Sequence, residues 1–193
     1  MLTRLIAGAL ATVLCAFPAA AQAPETIGPV VGEPAPKLSS VTAVASKDVL
    51  EVQESQGVAI VFFRSAVWCP FCKKQLTELK TAAGPLAGKG WRLTALSYDS
   101  PESLKTFAVR NGINYTFLSD PESTAIDAFG LRNTSVKSGS RADGIPHPAV
   151  VFVRNNGRVA AVLREEGYRK RPSVDAITQA ATLLNAAAGD GAQ

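Results

Sequence analysis

Apolar positions along this chain fall into two spacings, and they alternate. GVAIVFF (57–63) is an uncharged run of β-branched and aromatic residues, the pattern of a strand buried on both faces. In PFCKKQLTELKTAAGPLAGKG (70–90), Phe71, Leu76 and Leu79 recur at roughly helical spacing, with charges on the opposite side. Pro70 suits a first helical turn because its missing N–H has no partner to lose there, and Pro85 is expected to end or kink the helix. WRLTALSY (91–98) reads as a second strand. SPESLKTFAVRNG (100–112) carries helix start and stop signals: Ser100 as cap, Pro101, then Glu102 in the first turn and Gly112 at the end. INYTFLS reads as a short strand, and DPESTAIDAFG repeats the start signal with Asp120 as cap and Pro121 following.

AVVFVR and RVAAVL flank NNG, where Asn156 and Gly157 can both take positive φ and so close a tight hairpin. The last periodic segment, RPSVDAITQAATLLNAA, is an amphipathic helix capped by Ser173, with Ile177, Ala180 and Leu184 on one stripe. Strands alternating with helices predict an α/β fold. The expected form is a mainly parallel sheet with helices on both faces and a C-terminal antiparallel hairpin at its edge.

The ends read differently. Arg4, the mostly apolar run Leu5–Phe17 and the small residues Ala19 and Ala21 match a secretory signal, with cleavage expected after Ala21. That run is short of the ~20 apolar residues a bilayer span takes, so the mature form is not expected to span a membrane. Leu14 stands before Cys15 where a lipid-attachment signal has a small residue, so Cys15 is not read as a lipidation site. The expected location is an oxidising compartment, most simply a periplasm. Residues 22–37, rich in Pro and Gly, read as an extended lead-in, 38–187 as one domain, and 188–193 as a fraying tail. The net charge of +4 comes from 20 basic and 16 acidic residues scattered along the chain, and EEGYRKR mixes signs. No basic stripe with interleaved aromatics marks a nucleic-acid surface.

Cysteine usage narrows the chemistry. With the signal removed, only Cys69 and Cys72 of WCPFC remain. A bridge between them closes a tiny loop and removes little entropy from the unfolded chain, so it is a poor staple. A closed zinc site wants four ligands, and the chain offers two sulfurs and one histidine, His147. A redox couple is the leading reading, with no cofactor required. Cys69 stands where a helix begins, and unpaired amides there favour a thiolate. It is therefore assigned as nucleophile and Cys72 as resolving thiol. Trp68 is read either as a shield for the pair or as ordinary packing. Arg64, five residues upstream, either adds positive potential near Cys69 or faces water, and the second is favoured because it is the default for arginine.

These residues carry a resemblance. WCPFC between a buried strand and a helix is similar to the active-site motif of the thioredoxin fold. The wider frame of VGEPAPKL, VAIVFFRSAVWCPFCKKQLTEL and GIPHPAVVFVRNNGRV resembles redoxins of the alkyl hydroperoxide reductase/thiol-specific antioxidant family, from Val31 to Leu184. The resemblance implies a thioredoxin-like fold and one of two activities. Peroxidases of that family place Thr or Ser three residues before the attacking cysteine, where this chain has Ala66, and an arginine where it has Pro148. Ser65 is one residue out of place and should point elsewhere. Thioredoxin-like exchangers carry a cis-proline facing the cysteines, and Pro148 fits that role, where it would expose backbone groups to a substrate strand.

Thioredoxins also place an acid in the strand before the motif. VAIVFF has none, which leaves the base for Cys72 unassigned. His147 is expected to face the cysteines, as a tuning group, as a third copper ligand or, more often the case for a lone loop histidine, as a solvated or hydrogen-bonded side chain. Three readings follow. The first is a thiol–disulfide oxidoreductase acting on protein or small-molecule thiols and disulfides, with Trp68, His147 and Pro148 contacting substrate. The second is a thiol peroxidase with Cys69 attacking peroxide. The third is a copper-binding module using Cys69, Cys72 and His147.

Overall fold

In the computed structural model, residues 27–44, 56–167 and 169–190 are described. The signal and its cleavage point lie outside them. Six strands form one mixed sheet in the order β1-β4-β3-β2-β5-β6. They are β1 (Thr42–Val44), β2 (Gly57–Phe62), β3 (Trp91–Ser97), β4 (Thr116–Ser119), β5 (Ala149–Arg154) and β6 (Val159–Leu163). The pairs β2–β3 and β3–β4 are parallel. The β2–β5, β5–β6 and β1–β4 pairs are antiparallel, so three of the five described pairings are antiparallel and the sheet is mixed where a mainly parallel one was expected.

The uncharged run at 57–62 becomes the strand between β3 and β5, and its pleat divides the core. Ala59, Val61 and Phe63 point into one cluster, with Leu76, Leu86, Leu104 and Ile177 from the helices on that face. Those helices are α1 (Pro70–Glu78), α2 (Lys80–Ala87), α3 (Pro101–Asn111) and α5 (Val174–Asp190). Ile60 and Phe62 point the other way, against Ile126 of the short α4 (Thr124–Ala128) and against Phe129 and Leu131. Fully burying side chains of this size is worth roughly 1.5–3 kcal/mol each, which is why this strand anchors the fold. Among the described residues no helix is long and apolar enough to cross a membrane.

Several local expectations hold and others shift. Ser100 accepts the Ser103 N–H, and Gly112 closes α3 in the left-handed region at φ 56°. Ser173 Oγ accepts the Ala176 N–H as the cap of α5. The helix after the motif breaks at Leu79, whose buried side chain faces the core, while Pro85 sits inside α2. The helix expected to be capped by Asp120 starts later, at Thr124 with Ser123 in the cap position, and Asp120 reaches it from outside. Its carboxylate accepts the Ile126 N–H at 2.9 Å, and Pro121 and Glu122 lie in the turn before α4.

The β5–β6 turn is a three-residue loop: Gly157 N–H donates to Arg154 O and takes φ +77°, while Asn156 stays out of the positive region. The lead-in is pinned to this hairpin, with Gly32 and Ala35 donating to Val159 O and Gly157 O.

Candidate active site

The end of β2 and the start of α1 meet at Cys69. Its backbone is extended (φ −91°, ψ 105°) and its side chain caps α1: Sγ accepts the Cys72 N–H at 3.2 Å, with Pro70 in the first turn. The expected placement at a helix mouth is what the structure shows. Cys69 and Cys72 are joined in a disulfide, Cα–Cα 5.3 Å, and both are fully buried.

Two guanidinium groups converge on this disulfide. Arg64, in the loop after β2, is half-buried rather than solvated. Its Nη2 lies 3.5 Å from Cys69 Sγ and its guanidinium stacks 5.7 Å from the Trp68 ring centre. Arg171, in the segment before α5, places Nη2 3.5 Å from Cys72 Sγ and 3.9 Å from Cys69 Sγ. For Arg64 the less favoured of the two sequence readings, a charge near Cys69, is the one that fits, whereas Arg171, 99 residues from Cys72, was not anticipated. Burial, and then the neighbouring charge of Arg64, push the Arg171 pKa down to about 10. Burial of a sulfur raises its pKa, but an amide N–H and a cation at 3.5 Å both favour the thiolate.

Asp99, just beyond β3, fixes the loop that carries Cys69. Its carboxylate accepts the Ser65 hydroxyl at 2.7 Å, the Ala66 N–H at 2.6 Å and the Ser97 hydroxyl at 3.0 Å. Ser65 Oγ in turn accepts the Val67 and Trp68 N–H groups, so this hydroxyl braces the turn instead of facing the sulfur. Burial raises the Asp99 pKa, and these hydrogen bonds oppose the rise. Trp68 is part of the packing: it lies against the core cluster and its Nε1–H donates to Tyr98 OH at 2.9 Å.

His147 and Pro148 line a cavity of about 470 Å³ with Arg64, Asn133, Ser135 and Arg164, so they stand on the cysteine side of the molecule. Their link to the sulfurs runs through Arg64. Burial, and then the charge of Arg164, lower the His147 pKa, which favours the neutral ring at pH 7. Two expectations fail here. Among the described residues every peptide bond is trans, His147–Pro148 included. The chain at this point is pinned by His147 N–H donating to Leu131 O at 2.7 Å and leads directly into β5, so Pro148 is not the cis-proline of an exchanger. Nor do Cys69, Cys72 and His147 gather as copper ligands. Among the described residues no three His, Cys, Asp or Glu side chains cluster as a metal site, and both sulfurs are spent on each other.

A cysteine capping the helix that follows a buried strand, inside a mixed sheet with helices on both faces, defines a thioredoxin-fold redoxin. More narrowly, residues 31–162 match the AhpC/TSA family, and the chain belongs to that family. A Mycobacterium tuberculosis relative, Rv2521, is 29% identical over 100 residues, 52% of this chain and 63% of its own. The chain thus matches less than two thirds of that protein's length. Peroxiredoxin Bcp of Escherichia coli K12 is 28% identical over 131 residues, 68% of this chain and 83% of its own. Among solved structures, Peroxidoxin BcpB of M. tuberculosis superimposes with a TM-score of 0.62 at 19% identity, covering 81% of this chain and 96% of that one.

Proposed function

We propose that the protein is a thiol-dependent peroxidase in which Cys69 attacks the peroxide and Cys72 resolves the product. The observation that carries this reading is the Arg64 guanidinium 3.5 Å from a sulfur that caps a helix. The cation and the helix amides favour the Cys69 thiolate, and the same cation is placed to offset charge developing on the departing oxygen. In the first step a Cys69 S–O bond forms and the peroxide O–O bond breaks, and the leaving alkoxide or hydroxide takes a proton from solvent. In the second, Cys72 displaces hydroxide from the Cys69 sulfenic acid to give the disulfide. An external thiol reductant then restores the dithiol. Family membership supports this order of readings over the exchanger that the missing hydroxyl at Ala66 placed first. The test is stopped-flow mixing of the reduced protein with hydrogen peroxide and an organic hydroperoxide. Cys69 consumption far faster than that of free cysteine is expected, and a rate equal to free cysteine rejects the reading.

A second reading is thiol–disulfide exchange. It is favoured by the absence of a hydroxyl at Ala66 and by a disulfide already closed across one helical turn. Reduction of a protein disulfide that survives Cys69→Ser would eliminate it. We further propose export to a periplasm with loss of residues 1–21, and retention of the full chain in the cytoplasmic fraction on expression would contradict this.

A further inference from the structure

We propose that Arg171 is the charge partner of Cys72, holding the resolving sulfur as a thiolate once the disulfide is open, so that resolution needs no protein base. This rests on Cys72 being the resolving thiol of the reading above. The two sulfurs are not treated alike by the fold. Cys69 Sγ receives an amide N–H, and the donor is Cys72's own backbone. Cys72 Sγ, as fully buried as Cys69, lies in the first turn of the helix, and burial by itself would keep it protonated. Arg171 Nη2 is closer to it, at 3.5 Å, than to Cys69, at 3.9 Å. No acid stands in β2 to take the Cys72 proton, and the buried acid nearest the motif, Asp99, is committed to Ser65, Ala66 and Ser97.

The Arg171 segment is tied to α1 through Gln75 and is braced by a bond within itself. Arg171 Nη1 donates to Lys170 O at 2.6 Å, and the Gln75 side chain donates to the carbonyl of buried Pro172 at 3.4 Å. Ser173 then caps α5. Among the described residues, Arg171 stands against Cys72 Sγ and Arg64 against Cys69 Sγ, close enough that, beyond burial, the charge of Arg64 lowers the proton affinity of Arg171. The lowered proton affinity of Arg171 is consistent with a cation pressed into a positive, partly dry site that gains when an anion forms beside it.

In the resolving step the Cys72 thiolate attacks the sulfenic sulfur of Cys69. The S–S bond forms, the S–O bond breaks, and hydroxide leaves and is protonated by solvent. Cys72 is oxidised by the amount that the Cys69 sulfur is reduced, so no outside electron enters. Arg171 supplies no atom to this step and only lowers the energy of the attacking form.

The experiment isolates Cys72 in a Cys69→Ser background and follows thiolate absorbance near 240 nm against pH, with Arg171 intact and replaced. Arg171→Gln should raise the Cys72 midpoint by roughly 1–3 pH units, the range for an opposite charge at this distance, and Arg171→Lys should restore part of it. A midpoint that Arg171→Gln leaves unmoved overturns the proposal. Redox equilibration of the two-cysteine protein with dithiothreitol gives a second readout if the single-cysteine variants do not fold. Arg171→Gln should shift the equilibrium toward the disulfide by about tenfold or more, because the open form loses its cation. No shift overturns the proposal. Neither readout uses peroxide. A chain inert to peroxide whose Cys72 midpoint still follows residue 171 would remove the peroxidase reading and keep this pairing.

Discussion

Replacing Asp99 tests whether the loop bearing Cys69 is held by the hydrogen bonds described above. In Asp99→Ala, the hydroxyls of Ser65 and Ser97 can rotate toward other acceptors, but the Ala66 N–H cannot. Ala66 is 3% exposed, so its amide loses a 2.6 Å bond to a carboxylate in a site closed to bulk solvent. Orphaning one buried donor costs about 1–3 kcal/mol, and the two hydroxyl bonds to a charged acceptor add to that. Against this stands the cost of burying the carboxylate, visible in its raised pKa. The expected net loss is about 2–4 kcal/mol.

Asp99→Asn keeps an oxygen for the Ala66 N–H and should lose only about 1 kcal/mol, the worth of one ordinary bond. The pH sign is fixed as well. A carboxyl whose folded pKa is raised contributes stability that is fully present below its unfolded value and is lost as pH rises through the folded one, so Asp99→Asn should flatten that slope in mildly acidic solution. Urea unfolding at several pH values, with unchanged m, is the assay. An Asp99→Ala protein within about 0.5 kcal/mol of the parent, or an Asn variant weaker than the Ala variant, would mean that this carboxylate does not hold the Cys69 loop.

Two further perturbations separate the electrostatics from the scaffold. Arg64→Gln removes the cation 3.5 Å from Cys69 and should raise the Cys69 midpoint by roughly 1–3 units, slowing peroxide consumption about tenfold or more just below neutrality; an unchanged midpoint would dissociate Arg64 from the chemistry. Gly57→Ala should destabilise by about 3 kcal/mol or more in thermal or urea unfolding. Gly57 takes φ +151°, and a Cβ there would run into the Val153 carbonyl oxygen and lie 2.8 Å from Arg154 Cα, so a neutral result would contradict the β2–β5 register.

The parts of the site legible in the sequence were those written locally. An uncharged β-branched run and a proline in the first turn after Cys69 were enough to put that sulfur at a helix mouth. Ser100, Pro101 and Gly112 likewise marked α3 by side-chain chemistry within one segment. What escaped depends on tertiary approach. Asp99 meets Ala66 across 33 residues and Arg171 meets Cys72 across 99, and nothing in EEGYRKR distinguishes the one arginine that turns inward. Arg64 was favoured as solvated because the way its loop folds back to set the guanidinium beside Cys69 Sγ and the Trp68 ring leaves no mark in composition. Pro148 was misjudged because an X–Pro bond accepts either isomer until its surroundings choose. The hairpin was assigned the wrong loop because Asn-Gly serves both a two-residue turn and the end of a three-residue one. β1 carries only three residues, too few for a period to show.

The chemistry proposed for this site requires Cys69 to be ionised near neutrality. The direct measurement is the pH dependence of thiolate absorbance in reduced Cys72→Ser protein, where Cys69 is the only thiol of the described domain. A midpoint between about 3.5 and 7.5 is predicted for a sulfur at a helix N-terminus beside a cation. A midpoint at or above the ~8.5 of free cysteine would contradict it.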